Sequence, residues 1–276
     1  MSATGTADWV EVGDRVFVRR YAALDQNIGV VLGEEGALVV DTRATHQYAD
    51  ELLADLRRLT PLPARVVVNT HGHWDHCFGN ARFRPAPIWG HVRCAEMMRL
   101  TGENQRARIS EASAELAVGL AGVVIDPPDQ TFASESSIVV GGRPVHLAFV
   151  GRGHTDHDIL VSVPGTDVLF VGDLLENGAV PFYGDAYPLD WALTAAAIVP
   201  RVTGVVVPGH GDHADRAFAA SQADSIAAVA DLAQRVHAGE LTLDDAVAEH
   251  PFPDHSPADA RRPLERALQQ LRNELA

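Results

Sequence analysis

Lysine is absent from this chain of 276 residues: all 22 basic side chains are arginine. That absence excludes a Schiff-base lysine and a flexible ammonium clamp, so a clamp for a substrate anion must be arginine, backbone or metal. Cysteine is scarce as well. Two residues, Cys77 and Cys94, are too few for a disulfide framework. The stretch Met1 to Val10 lacks both a basic leader and an apolar segment of signal-peptide length, and no apolar run reaches membrane-spanning length. Positive charge is also short, for the formal net charge is -15. Phosphate binding wants clustered arginine and lysine, so this balance excludes a nucleic-acid partner and serves solubility instead. The expectation is a soluble, cytoplasmic protein with no membrane partner and no nucleic acid.

What is present is core. Hydrophobic residues make up 46% of the chain, enough for one large domain or two ordinary ones. Val16–Arg20, Asn27–Leu32 and Ala37–Val40 are β-branched runs, with Glu34-Glu35-Gly36 as a hairpin turn between the last two. Thr45 to Leu59 places Tyr48, Leu52, Leu53, Leu56 and Leu59 at helical spacing and stops before Pro61, leading to a strand over Arg65–Asn69. Glu103–Leu120 is helical in pattern, and Asp126-Pro127-Pro128 then breaks the chain. Ser137–Val140, Val145–Val150, Ile159–Val163 and Val168–Val171 form a second β-rich half. Helix returns over Asp190–Val199, a short buried strand occupies Gly204–Val207, Ala-rich helices fill most of Ala214–Ala248, and a charged helix follows Pro263. With no repeat and no flexible linker, the two halves close on each other as an α/β fold, an αββα sandwich of two mixed sheets with helices outside. The chain reads as a single domain, 1–276, with a helical C-terminal tail from about residue 251. That tail serves as a dimer contact or a pocket wall; the oligomeric state is not legible.

The densest chemistry lies in His71-Gly72-His73-Trp74-Asp75-His76, directly after the run Arg65–Val68. Strand ends of layered α/β folds carry ligand-binding loops, and neutral imidazole with carboxylate is a donor set for zinc and its neighbours. Three later stretches repeat the pattern, each putting one such donor where a β-run meets a loop: Gly153-His154-Thr155, Gly172-Asp173 and Gly209-His210-Gly211. Adjoining glycines let the backbone turn tightly near an ion. A single histidine is more often a satisfied turn residue, but five at this spacing are a metal centre.

In these motifs, His-x-His-x-Asp-His, Gly-His-Thr, Gly-Asp and Gly-His in that order, the chain resembles the metallo-β-lactamase-fold superfamily over roughly Val16–His213. The resemblance implies that His71, His73 and His154 hold one metal, that Asp75, His76 and His210 hold a second, and that Asp173 bridges them. Neither cysteine lies near Asp173, so the lactamase subclass with a Cys ligand is a poorer match than the glyoxalase II-like, oxygen-and-nitrogen set of the hydrolytic branch. It further implies two Zn2+ per chain, iron or manganese being alternative occupants. A metal-bridging hydroxide would be the nucleophile, positioned by Asp75. Asp41 resembles an early aspartate that sits behind the metal loop and orients it; a cap for the helix near Thr45 is the other reading.

Other residues read more plainly. Asp158 either supports His154 or is an exposed turn residue, the plainer choice. His157 is a polar loop residue, His213 a helix-start residue and His91 a strand end. Cys77 is a small buried group. The segment Glu176–Asp185 is too rich in Gly, Pro and aromatics for regular structure; there Phe182 and Tyr183, with Trp74, line a substrate pocket or merely pack on neighbours. The leading function is a binuclear metal-dependent hydrolase of an ester, thioester, amide or lactam in a small molecule. Glyoxalase II proper is disfavoured, because its glutathione-binding positions are not recognisable in the tail. A mononuclear iron sulfur (persulfide) dioxygenase of the same fold is the alternative, and a non-catalytic zinc-binding scaffold the third reading.

Overall fold

The computed structural model describes residues 9–252 and 256–272. The stretch read for a leader therefore lies, apart from Trp9 and Val10, outside the described residues. Seven strands form the first sheet in chain order: β1 (Val10–Gly13), β2 (Val16–Tyr21), β3 (Gln26–Leu32), β4 (Ala37–Val40), β5 (Ala64–Val68), β6 (Ile88–His91) and β7 (Gln130–Phe132). The first four pair antiparallel, and β4 to β7 pair parallel. The second sheet has β8 (Glu135–Val140), β9 (Arg143–Phe149), β10 (Ile159–Val163), β11 (Val168–Gly172) and β12 (Val205–Pro208), antiparallel except for the parallel pair β11 and β12. Both sheets are mixed.

Alternation of side chains along each strand decides which face is which. Val18, Val31, Leu38, Val40 and Val68 of the first sheet meet Val145, Leu147, Val161, Phe170 and Val207 of the second in one buried layer. The opposite face of the first sheet, with Ile28, Val30, Val39 and Val67, is covered by Ala49, Leu52 and Leu56 of α1 (His46–Leu59). The outer face of the second sheet, with Leu160, Leu169, Val171 and Val206, is covered by α5 (Pro188–Ile198), α6 (Arg216–His237), α7 (Leu243–Ala248) and α8 (Pro257–Leu271). This is the αββα sandwich. Each fully buried aliphatic side chain in these layers contributes roughly 1.5–3 kcal/mol.

Three elements differ from the sequence reading. The helix placed over Glu103–Leu120 is two helices, α3 (Val92–Ala112) and α4 (Ala114–Leu120), and α3 starts earlier because His91 caps it by accepting from Arg93 N. The Asp126-Pro127-Pro128 break does not divide the sheets, since β7 beyond it still pairs with β6 of the first. Helix α8 begins at Pro257, capped by Ser256, and runs through Pro263. A short helix, α2 (Trp74–Cys77), forms inside the His71–His76 motif itself. Among the described residues no helix is long and apolar enough to cross a membrane.

Candidate metal centre

Four strand ends converge at one edge of the sandwich. Asp41 follows β4, the His71–His76 loop follows β5, Asp173 follows β11 and His210 follows β12, while His154 lies in the connection from β9 to β10. Gln26 and Asn27 at the start of β3 stitch this edge together. Asn27 Nδ2 donates to Pro208 O and Gly211 O, and Gln26 Nε2 donates to Asp75 O. Gly209 has to be glycine on steric grounds, because a Cβ there would collide with Asp173 Oδ1 and crowd His76.

Each of the five motif histidines has one ring nitrogen tied behind it and the other turned into a shared space. His71 Nδ1 lies 3.1 Å from Thr70 Oγ1, His76 Nδ1 donates to Asp41 Oδ2 at 2.8 Å, His154 Nδ1 to Phe182 O at 3.1 Å, His210 Nδ1 to Leu24 O at 2.7 Å, and His73 Nε2 to Asp185 Oδ2 at 3.0 Å. On the other side, Asp173 Oδ2 lies 3.7 Å from His71 Nε2 and 3.5 Å from both His154 Nε2 and His210 Nε2. Asp173 Oδ1 is 3.3 Å from His76 Nε2. Asp75 Oδ2 is 3.3 Å from His210 Nε2 and 3.6 Å from His76 Nε2. Backing one nitrogen fixes the tautomer, so the other presents a lone pair. The donors His71, His73 and His154 could hold one ion, as could Asp75, His76 and His210, each trio lying within 4.8 Å of one another. His71 Nε2 and Asp173 Oδ1 are buried without a hydrogen-bond partner, which a cation between them would remedy.

The family model of the metallo-beta-lactamase superfamily matches residues 21–210. The chain belongs to this superfamily. A metallo-beta-lactamase type 2 of Bacillus cereus is 25% identical over 196 residues, 68% of each chain. Among solved structures, a metallo-beta-lactamase from Pontibacter korlensis superposes with a TM-score of 0.65 at 23% identity, covering 80% of this chain and 99% of that one. The stereoselective inverting sec-alkylsulfatase Pisa1 from Pseudomonas sp. reaches 0.76 at 18% identity, covering 96% of this chain but 50% of its own. At those identities the superpositions establish the metallo-beta-lactamase fold.

Charge at this edge of the fold is dominated by burial and by the aspartates. Burial pushes the His71 and His154 imidazoles below their ordinary range. Against burial, Asp173 and Asp75 raise His76 and lift His210 to about 12, and Asp185 lifts His73 to about 9. Burial alone would raise Asp75, but His76 and His210 hold it at about 2. In the metal-free chain protons on imidazole balance the carboxylates, as cations would.

Several residues around the motifs emerge only in three dimensions. Asp41 accepts from Thr70 N, Thr70 Oγ1 and His76 Nδ1, while the cap of α1 is Thr45, accepting from Tyr48 N. Asp158 is not an exposed turn residue: it is 2% exposed and accepts from Thr155 N and Thr155 Oγ1, closing the turn that carries His154. His157 is more than a polar loop residue, being buried, with Nε2 accepting from Gly72 N. Gln105 of α3 holds the same loop, donating to Gly72 O and accepting from Trp74 N. Glu176 is buried within ligand distance of His154 and Asp173, and burial, with Asp173, lifts it to about 8. Of the pocket aromatics, Tyr183 is buried against Trp191, Trp74 packs partly buried on Cys77 and Phe78, and Phe182 is half exposed. Two adjoining cavities of about 340 and 380 Å³ share Arg93, Asp156 and Tyr187, and the larger reaches His157, Asp185 and Arg266 beside His73. Cys77 donates its thiol to His73 O, and Cys94 is buried nearby.

Proposed function

We propose that the protein is a hydrolase with a two-ion centre, zinc being the occupant that suits its imidazole and carboxylate donors. His71, His73 and His154 would hold one ion, Asp75, His76 and His210 the other, and Asp173 would serve both. The observation that supports this is the arrangement of five imidazoles, each tied at one nitrogen and aimed with the other at a common space around Asp173. Ions held there supply Lewis acidity, activating water near neutral pH and polarising the bond under attack. The carboxylates of Asp75 and Asp173 accept hydrogen bonds, so they orient a water molecule in the space between the two trios. No serine, cysteine or lysine nucleophile is required, consistent with Cys77 and Cys94 being buried with thiol pKa values pushed up by burial.

The substrate is a small molecule carrying an ester, thioester, amide or lactam. The larger cavity, about 380 Å³ and lined in part by Asp185, which bonds His73, is of a size for such a ligand. The test is a hydrolysis panel on the metal-replete protein covering thioesters, lactones, lactams and phosphodiesters, with metal content measured alongside. Turnover of one class that is lost in Asp75→Ala supports the reading. One iron per chain with oxygen consumption on a persulfide would overturn it. So would unchanged turnover in Asp75→Ala accompanied by a collapse in thermal stability.

A further inference from the structure

Two of the imidazoles are held by one segment of chain. His154 Nδ1 donates to Phe182 O at 3.1 Å, His73 Nε2 to Asp185 Oδ2 at 3.0 Å, and Tyr187 N donates to Gly153 O at 2.8 Å, next to His154. The segment between β11 and α5 is thus the outer wall of the His71, His73 and His154 trio. It has no regular structure between Gly178 and Tyr187, so something else must fix it.

That support comes from α8. Arg266 Nε donates to Ala186 O at 2.8 Å and Arg266 Nη2 to Asp185 O at 2.9 Å; Gln270 Oε1 accepts from Leu189 N at 3.0 Å and its Nε2 donates to Asp190 Oδ2 at 3.2 Å. Arg266 has no carboxylate partner among the described residues, and its guanidinium lies 5.9 Å from the Tyr187 ring centroid. Its fork is committed to the two carbonyls around Asp185, a geometry that guanidinium suits and ammonium does not. The second trio is backed differently. His76 rests on Asp41, just after β4, and His210 on Leu24 O, in the turn between β2 and β3, and Gln26 of β3 holds the Asp75 carbonyl.

We propose that α8 is a working part of the metal centre: Arg266 pins the Asp185–Ala186 backbone, and the Asp185 carboxylate in turn fixes the His73 ring, so that this helix sets the affinity of one ion position and not the other. Asp185 and Arg266 are positioning residues in this arrangement. The inference rests on the metal reading above. It assigns the C-terminal helix a role in ion affinity, distinct from a dimer contact.

The experiment is zinc titration of the full chain against a chromogenic chelator, with thermal melting of the metal-free forms as a control. In Asp185→Asn and Arg266→Met, one zinc equivalent should weaken by roughly 10–100-fold, the range for losing an outer partner of a ligating histidine, while the other keeps its wild-type affinity. Arg266→Lys should not rescue. Metal-free melting temperatures should fall only modestly, because each variant removes a hydrogen bond that the metal-free chain also makes, so ion positioning is separated from general support of the fold by the second zinc equivalent, which keeps its wild-type affinity. Both equivalents unchanged in both variants, or both weakened equally together with a lowered metal-free melting temperature, would overturn the inference. A wild-type chain that takes up no divalent cation would instead overturn the metal reading itself.

Discussion

Asp41 concentrates more of the site's order than any neighbour of its size. It is 2% exposed, its backbone is left-handed at φ 64°, and its carboxylate accepts from Thr70 N, Thr70 Oγ1 and His76 Nδ1. A non-glycine residue in that region costs of order 1–3 kcal/mol and persists only where its surroundings over-determine it. In Asp41→Asn the amide can still adopt the left-handed backbone, but one oxygen becomes a donor facing donors. Urea unfolding of the metal-free protein should show a loss of about 1–3 kcal/mol, and zinc affinity should fall with it. Unchanged values for both would mean that the three hydrogen bonds do not order the loop. A second buried residue, Tyr21, ties pH to stability. Burial, reinforced by the hydrogen bond to Asp55, raises its phenol well above the ordinary range. A raised folded-state pKa means that the contribution is fully present below the unfolded value near 10 and is lost as pH rises beyond it. The melting temperature should therefore fall between about pH 9.5 and 11, and less steeply in Tyr21→Phe; parallel curves would exclude Tyr21 as the source.

Helix α3 shows how an element outside the motifs reaches into them. Gln105 bonds Gly72 O and Trp74 N, the two backbone groups flanking His73, while His157 accepts from Gly72 N. Gln105→Leu leaves a part-buried donor and acceptor without partners, which costs about 1 kcal/mol. It should also loosen the loop carrying His71, His73 and Asp75. Faster amide exchange at Gly72 and Trp74 with little change in the sheets is the expected signature; uniform exchange would place the damage elsewhere. Gln105 was illegible in the sequence because its partners are backbone groups 33 and 31 residues away, and no side-chain pattern records them. Most strands were legible for the opposite reason: Ala37–Val40 is a continuous apolar run and Ile159–Val163 is one broken only by Ser162, each between turn residues. Strand β6 was legible only in its end at His91, and β7, Gln130–Phe132, is so short and polar that only pairing in the sheet defines it. The motif histidines announced themselves through spacing. Asp185 and Glu176 did not, because a carboxylate in a Gly- and Pro-rich stretch looks the same whether it faces water or an imidazole; Asp158 was weighed, and its exposed reading fails because it is buried on Thr155.

At the scale of the whole molecule, the donor trios draw on residues from His71 to His210, so they can assemble only when the two sheets are packed. An ion that binds the folded chain and not the unfolded one adds stability as the logarithm of its concentration over its dissociation constant, about 2.7 kcal/mol at a hundredfold excess. The metal-free centre is also a poor neighbourhood for its own groups: His71 Nε2 and Asp173 Oδ1 are buried without a hydrogen-bond partner, and the carboxylates of Asp75 and Glu176 lie close to Asp173. Chelation should therefore lower the melting temperature by on the order of 5 °C or more. Zinc added back should restore it in a concentration-dependent way, whereas magnesium, which favours all-oxygen shells, should not. A melting temperature indifferent to chelation, with metal analysis confirming that the ions had left, would show that the ions bind the folded chain no more tightly than the unfolded one, against a centre assembled by the packing of the two sheets.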